Sequence, residues 1–248
     1  MNRTIVVLSR NRPIQDRTRQ CIDAMMRAGA AYLEQTGCAD VALARCDALT
    51  QACNSLRQLN ERSARAVPPA GIHPAAEATW KPPPPRDTVL MVDDDMVFSN
   101  DQAQALIDCS RETGVAVSAV YATLATTVAA TRIAGTDRWL SGLGLIAIPA
   151  GRLFELEHES ETFAIKERSY VAFTWCGPEK NAWYSEDYRL CQRLGGVYLL
   201  PIAVGHLKVL PIYPDDETIA AIREDRRITG DADTSQLERI THTQAGES

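Results

Sequence analysis

Short apolar runs alternate with stretches of helical periodicity along most of this chain. The run from Thr4 to Leu8 has no polar alternation, which is typical of a strand that is buried on both faces. Strands that alternate with helices in this way predict an α/β fold with a mostly parallel central sheet and helices on its faces. The pattern predicts strands at residues 4–8, 41–44, 89–92, 115–121, 128–133, 143–148 and 197–204, and helices within 22–33, 49–59, 101–112, 150–157 and 185–194.

Two segments depart from this pattern. Residues 64–86 contain Pro68-Pro69, Pro74 and the run Pro82 to Pro85, so we expect a surface loop that is partly extended as polyproline II. From Asp215 onwards the chain becomes polar and resembles a loosely held tail. We therefore predict one α/β domain over residues 1–214 and a polar C-terminal tail over 215–248.

Three consecutive carboxylates, Asp93, Asp94 and Asp95, follow the apolar run at residues 89–92. In open α/β sheets, ligands bind at the carboxyl-terminal edge of the strands, and paired carboxylates there hold a hard divalent cation. Acidic residues also end strands as turn formers or helix caps. Three in a row, however, repel one another unless a cation or solvent offsets their charge. The sequence therefore predicts a cation site that serves a phosphate-bearing ligand.

A second acidic group opens a predicted helix further along the chain. Ser185 is a candidate N-cap, and Gly195-Gly196 is placed to end the same helix. Glu186 and Asp187 then lie in the first turn, where the helix dipole favours their ionised forms. Acids in this position often serve stability alone, but carboxylates that face a cleft can accept a proton or a hydrogen bond from a hydroxyl.

Other side chains in the second half of the chain could line the same cleft. His206 follows the last apolar run, and it is either a structural residue or a further ligand of a metal site that carboxylates begin. Lys208 could contact a phosphate as a point charge. Trp139, Trp175 and Trp183 could form walls for a sugar or a base, although core packing explains such residues as well.

Composition limits the possible partners and compartments. The formal net charge is −6 and the basic residues form no stripe, so non-specific attraction to a nucleic-acid backbone is not indicated. Seven scattered cysteines without a CxxC pair predict reduced thiols in a cytoplasmic compartment rather than a disulfide framework. We expect no transmembrane segment, because no apolar run approaches the length that crosses a bilayer.

Four motifs, taken in order, resemble the glycosyltransferases with a GT-A fold, most closely the small bacterial and phage-type enzymes that use nucleotide sugars. They are the strand followed by Asp93-Asp94-Asp95, the segment Gly142-Leu143-Gly144, the helix start Ser185-Glu186-Asp187-Tyr188, and Gly205-His206. The resemblance spans residues 4–208. It implies a GT-A (Rossmann-like) fold and a sugar that is transferred from a nucleoside diphosphate to a hydroxyl acceptor.

The resemblance also implies roles for individual residues. Asp95 would hold Mn²⁺ or Mg²⁺ against the donor diphosphate, with Asp93 bridging to the ribose or the metal and His206 as a further ligand. Glu186 or Asp187 would contact the acceptor and, in inverting members, serve as the base. A retaining outcome is favoured, because a histidine ligand resembles retaining members more than inverting ones. Donor contacts are expected from Ser9, Arg10, Asn11, Asn54, Asp94 and Lys208, and sugar or acceptor contacts from Gly142, Gly144 and Trp183.

One motif of the related sequences is incomplete. They commonly carry Ala-Arg-Asn on the second helix, and the matching place here reads Ala52-Cys53-Asn54. The arginine is absent from this place, so a charge contact to the donor is either missing or comes from elsewhere, with Arg57 and Arg10 as the candidates.

The predicted reaction is the transfer of a hexose-type sugar, and the candidate acceptors are a glycan, a metabolite, a protein or a hydroxylated nucleobase. Three other functions are alternatives to it. A nucleotidyltransferase would also use metal-bound acids, but its glycine-rich loop is missing after the first strand, where residues 9–13 contain no glycine. A nucleotide-sugar binder without activity would share every motif. A phospho-receiver domain would need a strand-borne acceptor aspartate, and the candidate, Asp137, follows no buried strand.

Overall fold

The computed structural model describes residues 3–9, 14–34, 40–64, 86–122, 128, 130–179, 182–207, 211–212 and 219–220. Most of the proline-rich loop predicted at residues 64–86 lies outside these ranges. So does almost all of the predicted C-terminal tail, and the proposed division at residue 214 stays a prediction.

A six-stranded sheet forms the centre of the protein and confirms the predicted α/β fold class. Five strands run in one direction, and the sixth, β8, lies antiparallel between β3 and β5. The architecture is consistent with a Rossmann-like fold. In spatial order the strands are β13 (Tyr198–Ala203), β5 (Val117–Val120), β8 (Leu145–Pro149), β3 (Thr88–Asp93), β1 (Thr4–Ser9) and β2 (Ala31–Glu34).

Helices cover both faces of this sheet. Alternate residues of β3 point to opposite faces, since Val89 and Met91 belong to one buried apolar cluster and Leu90 and Val92 to the other. Helices α2 (Val41–Ala64), α4 (Ala150–His158) and α5 (Glu186–Arg193) contribute to the first cluster. Helices α1 (Asp16–Arg27) and α3 (Asn100–Thr113) contribute to the second.

Small antiparallel sheets accompany the central one. In the three-stranded sheet β15-β14-β4, the segment after β13 folds back onto the segment that follows β3. The remaining three sheets are two-stranded pairs, β6 with β7, β9 with β10, and β11 with β12. Their strands are β4 (Met96–Val97), β6 (Ala130–Arg132), β7 (Trp139–Ser141), β9 (Thr162–Ile165), β10 (Arg168–Val171), β11 (Gly177–Glu179), β12 (Ala182–Tyr184), β14 (Gly205–Leu207) and β15 (Pro211–Ile212).

The prediction of a strand at residues 41–44 is wrong, because these residues form the first turn of α2. The Asp40 carboxylate accepts a hydrogen bond from the Leu43 amide at 2.8 Å, as an N-cap does. The second strand is β2 instead, and it contains Leu33, which the sequence pattern assigned to the first helix. Gly29, with φ of 97°, lies between the end of α1 and β2, and its left-handed backbone conformation favours glycine.

Among the described residues, no helix combines the length and the apolar character that are needed to cross a membrane. Six of the seven cysteines lie in the described part of the chain, and each is a free thiol.

Candidate functional site

The three aspartates lie where β3 ends. Asp93 is the last residue of the strand, and Asp94 and Asp95 form the turn that leads into β4. The backbone of this turn is fastened to distant segments, because the Asp93 amide donates to the Gly144 carbonyl at 2.8 Å and the Asp95 carbonyl accepts from the Leu207 amide at 2.7 Å. The carboxylates are therefore held at the carboxyl edge of the sheet, as predicted.

His206 reaches Asp95 through the pairing of β14 with β4, in which His206 lies opposite Met96. One ring nitrogen, Nδ1, lies 2.8 Å from the Ala122 carbonyl oxygen, and the other, Nε2, lies 3.0 Å from Oδ2 of Asp95. A carbonyl oxygen only accepts hydrogen bonds, so Nδ1 carries the proton. In the neutral ring, Nε2 then presents a lone pair to a carboxylate oxygen, and a proton or a cation must lie between the two acceptors.

This arrangement fits a divalent metal ion. Metal-binding histidines usually donate their other N–H group to a carbonyl or a carboxylate, as His206 does to Ala122. Two neighbouring ligands that each lie about 2.1 Å from an octahedral ion are about 3.0 Å apart, which is the separation of His206 Nε2 and Asp95 Oδ2. The carboxylate, together with phosphate oxygens or water, suits Mn²⁺ or Mg²⁺.

The predicted third ligand, Asp93, is engaged elsewhere. Its Oδ2 atom forms an ion pair with Nη2 of Arg45 at 2.9 Å, and its Oδ1 atom is buried without a hydrogen-bond partner. Within the described ranges, no group of three metal-ligating side chains is already assembled. The structure therefore brings Asp95 and His206 together and leaves the role of Asp93 as a ligand a prediction.

Arg45, on the first turns of α2, connects the strand-end acids with the acids of α5. Its side chain is only 2% exposed, and its Nη1 atom lies 3.4 Å from Oε1 of Glu186 and forms an ion pair with Asp187. Together with the contact to Asp93, one guanidinium contacts three carboxylates from two different elements. Arg45 is not among the site residues that the sequence patterns predict.

The charges of this cluster perturb one another. Burial disfavours the charged form of Arg45, but the attraction of Asp93 and Glu186 outweighs it and raises the Arg45 pKa above its usual value. Burial also raises the pKa of Asp93 to about 6; Arg45 opposes this shift and the neighbouring charge of Asp95 adds to it. Asp93, Glu186 and Asp187 thus share Arg45 as their internal cation.

The two acids of α5 occupy the positions predicted for them. The hydroxyl of Ser185 accepts a hydrogen bond from the Tyr188 amide at 3.4 Å, which confirms Ser185 as the N-cap and places Glu186 and Asp187 in the first turn. The Cys176 thiol donates to Oε2 of Glu186 at 3.2 Å. Both carboxylates remain partly accessible, with 13% and 24% of their side-chain surfaces exposed, so a hydroxyl could reach them.

The glycines predicted to lie near a sugar have a packing role in this structure. A Cβ atom on Gly142 would lie 2.2 Å from Oη of Tyr121, and one on Gly144 would lie 2.6 Å from Sδ of Met96. The Gly144 amide donates to Oη of Tyr121 at 3.0 Å, and the Tyr121 ring meets that of His206 edge to face. These glycines make room for Tyr121 and Met96, which lie next to His206, and their contact with a sugar stays a prediction.

The structure does not bring Asn54 to this cluster. Asn54 is exposed on α2 and accepts a hydrogen bond from Arg57 at 2.9 Å. It lies nine residues beyond Arg45, which is about 13 Å along the helix axis and on the opposite side of the helix. Arg57, the alternative source of a charge contact, pairs with Glu157 on α4.

Several predicted contacts concern residues that lie outside the described part of the chain. Only the backbone is described for Ser9 and Trp183. Their roles, and that of Asp94, stay predictions. The residues that fall outside the described ranges altogether are Arg10, Asn11 and Lys208.

Comparisons with known proteins leave the family open. No protein-family model matches the chain, and no curated protein matches it in sequence. Among solved structures, the crystal structure of A197 from STIV is similar over 87% of this chain and 95% of that chain, with 14% sequence identity and a TM-score of 0.47. A similarity this low does not indicate a function, so the function is inferred from the residues of the site.

Proposed function

We propose that this chain is a metal-dependent glycosyltransferase of the GT-A type, which moves a hexose-type sugar from a nucleoside diphosphate to a hydroxyl. The observation that carries the proposal is the pair formed by His206 Nε2 and Asp95 Oδ2, 3.0 Å apart at the carboxyl edge of the sheet. We place this activity in a reducing compartment such as the cytoplasm, because the seven scattered cysteines favour one.

The donor diphosphate belongs at the end of β3. Breaking the bond between sugar and phosphate develops negative charge on the leaving diphosphate, and Mn²⁺ or Mg²⁺ held by Asp95 and His206 would offset that charge. Ala122 fixes the orientation of the imidazole, and the pairing of β14 with β4 fixes its distance from Asp95. Asp93, which Arg45 holds in place, is the next oxygen donor for the metal or for the ribose.

The acceptor hydroxyl belongs at the start of α5. Glu186 and Asp187 can each accept a hydrogen bond from a hydroxyl and so hold it near the anomeric carbon, where positioning alone gives a large rate gain. In a retaining transfer, which we favour, these carboxylates orient the acceptor; in an inverting transfer one of them removes its proton. The anomeric configuration of the product, measured by NMR, distinguishes the two outcomes.

A screen of UDP- and GDP-hexoses with Mn²⁺ tests the proposal. We expect one donor to bind and to be hydrolysed slowly without an acceptor, and we expect Asp95→Ala to abolish hydrolysis. Asn54→Ala is the matched control, because this side chain is exposed and distant from the acids, and it should retain the activity.

Other outcomes of the same screen identify the competing functions. A binder without activity would bind a nucleotide sugar and never turn it over. A nucleotidyltransferase would consume a nucleoside triphosphate and release pyrophosphate. If no sugar nucleotide binds or is hydrolysed, the proposal is wrong.

A further inference from the structure

Trp175 is an exposed aromatic side chain that is held rigidly beside the acids of α5. Its indole is 45% exposed, whereas Trp139, another candidate wall residue, is only 4% exposed and belongs to the core. Both chain neighbours of Trp175 are fastened to Glu186, since the Thr174 hydroxyl donates to its backbone carbonyl and the Cys176 thiol donates to its carboxylate.

Two arginines of α5 contact the indole. The guanidinium of Arg189 lies 5.3 Å from the ring centroid of Trp175 and 4.7 Å from that of Tyr184, and the guanidinium of Arg193 lies 5.7 Å from the Trp175 centroid. Such contacts stabilise an aromatic ring electrostatically and fix the position of its exposed part. The exposed part of the indole offers an apolar surface on which a ligand could pack.

The indole and the carboxylates are close enough to serve one ligand. Arg189 follows Glu186 by three residues on the same helix, which is about 4.5 Å along its axis. A ring that rests on Trp175 could therefore direct a hydroxyl toward Glu186 or Asp187.

The charges around Trp175 favour a neutral ligand. Arg193 uses its donors inside the protein, on the carbonyls of Ala172 and Phe173 and on the Ser160 hydroxyl, and Arg189 is only 6% exposed. The Glu186 and Asp187 carboxylates stay partly accessible nearby, and carboxylates repel phosphate.

We propose that Trp175 is the platform for the acceptor and that the acceptor is a neutral carbohydrate. The C–H face of a sugar ring would rest on the indole while its hydroxyls donate to Glu186 and Asp187. This inference rests on the proposed glycosyl transfer, whose acceptor it specifies.

Substitutions at Trp175 test the platform in two assays. The first measures binding of neutral oligosaccharides (maltohexaose, cellohexaose and chitohexaose) to the full chain by saturation-transfer NMR, without donor or metal, and binding of short single-stranded DNA as a comparison. The second measures Mn²⁺-dependent transfer from the active donor to the same oligosaccharides. The variants are Trp175→Ala and Trp175→Phe, with Phe163→Ala as the control, because Phe163 is also an exposed aromatic residue but lies on β9.

We expect Trp175→Ala to weaken oligosaccharide binding and raise the acceptor KM about tenfold or more, which is typical of a central aromatic anchor, with a smaller effect for Trp175→Phe. Donor hydrolysis without an acceptor should stay within about twofold of the original chain, and circular dichroism should show an unchanged fold. Unchanged acceptor binding in Trp175→Ala, or preferential binding of DNA by the original chain, would overturn the inference. A chain that binds oligosaccharides through Trp175 but hydrolyses no donor would instead overturn the proposed glycosyl transfer.

Discussion

Nη2 of Arg45 lies 2.9 Å from Oδ2 of Asp93, so a buried arginine of α2 is ion-paired with the first of the three aspartates that end β3. The same guanidinium contacts Glu186 and Asp187 at the start of α5. The proposed donor and acceptor sides of the site thus share one internal cation. A change in this cation should affect the stability of the fold as well as the chemistry of the site.

Arg45→Met should destabilise the protein strongly. Removing one partner of a buried ion pair leaves an uncompensated charge and costs about 3 to 5 kcal/mol of unfolding free energy. Arg57→Met is the matched control on the same helix, because Arg57 is 47% exposed in its pair with Glu157, and such exposed pairs contribute about 1 kcal/mol or less. Urea unfolding at neutral pH measures both values, and equal losses in the two variants would argue against a special role for Arg45.

The stability of the metal-free protein should depend on pH through Asp93. Its pKa of about 6 in the folded chain exceeds the value of about 3.9 in an unfolded chain, so the folded state binds this proton more tightly. The stabilisation of the fold by this tighter proton binding is fully present below about pH 4 and is lost as pH rises through 6. Asp93→Asn removes this dependence, so its unfolding free energy should rise relative to that of the original chain by up to about 3 kcal/mol between pH 4 and 7. A difference that is constant with pH would contradict the prediction.

Gly142→Ala should destabilise the protein even without any ligand. The new methyl group would lie 2.2 Å from Oη of Tyr121, and overpacking of this kind costs about 1 to 3 kcal/mol. Gly151→Ala is the control, since a Cβ atom there meets nothing within 4 Å and alanine favours the helix by about 0.5 to 1 kcal/mol. Thermal unfolding of both variants checks this. If Gly142→Ala unfolds like the original chain, the packing role assigned to this glycine is wrong.

Iodoacetamide should alkylate Cys176 slowly, although this residue is exposed. Burial and the hydrogen bond to Glu186 raise its pKa to about 11, so at neutral pH its reactive thiolate is scarcer than that of a free thiol by about two orders of magnitude. Glu186→Gln should accelerate the reaction with iodoacetamide, because it removes the negative charge beside the sulfur. Asp187→Asn should have a smaller effect, because the Cys176 thiol donates to Glu186. Mass spectrometry of the labelled peptide measures these rates, and a rate for the original chain equal to that of glutathione would contradict the assignment.

Local patterns in the sequence predicted much of this site. An apolar run that stops at three aspartates identified β3 and its carboxyl edge, and Ser185 followed by two acids identified the N-terminus of α5. Both signals depend on neighbouring residues alone, which is why they could be interpreted without the fold. The mostly parallel sheet followed from the same alternation of strands and helices.

Arg45 could not be predicted in the same way. The run Val41 to Ala44 was interpreted as a strand, so Arg45 was placed beyond a strand end and not on a helix. In the helix it lies on the apolar face, three residues after Ala42 and four before Leu49, which are both buried. A charged residue in such a position is rarely buried without an ionic partner, and this signal would have indicated a buried ion pair had the helix been assigned correctly.

The position of His206 depends on long-range pairing that the sequence does not encode locally. The Gly205-His206 segment reaches Asp95 because β14 pairs with the two-residue strand β4. A strand this short gives no periodic signal. The resemblance to glycosyltransferases suggested the pair, and the structure supplied its distance and the carbonyl that orients the ring.

Binding of Mn²⁺ to the full chain is the direct test of a metal site at Asp95 and His206. Electron paramagnetic resonance in the presence of UDP would measure the affinity for the original chain, for Asp95→Asn, for His206→Gln and for the control Asn54→Ala. We expect one Mn²⁺ per chain, with an affinity that falls at least about tenfold in Asp95→Asn and His206→Gln and is unchanged in Asn54→Ala. Equal affinity in all four proteins, or no binding to any of them, would contradict a metal site at Asp95 and His206.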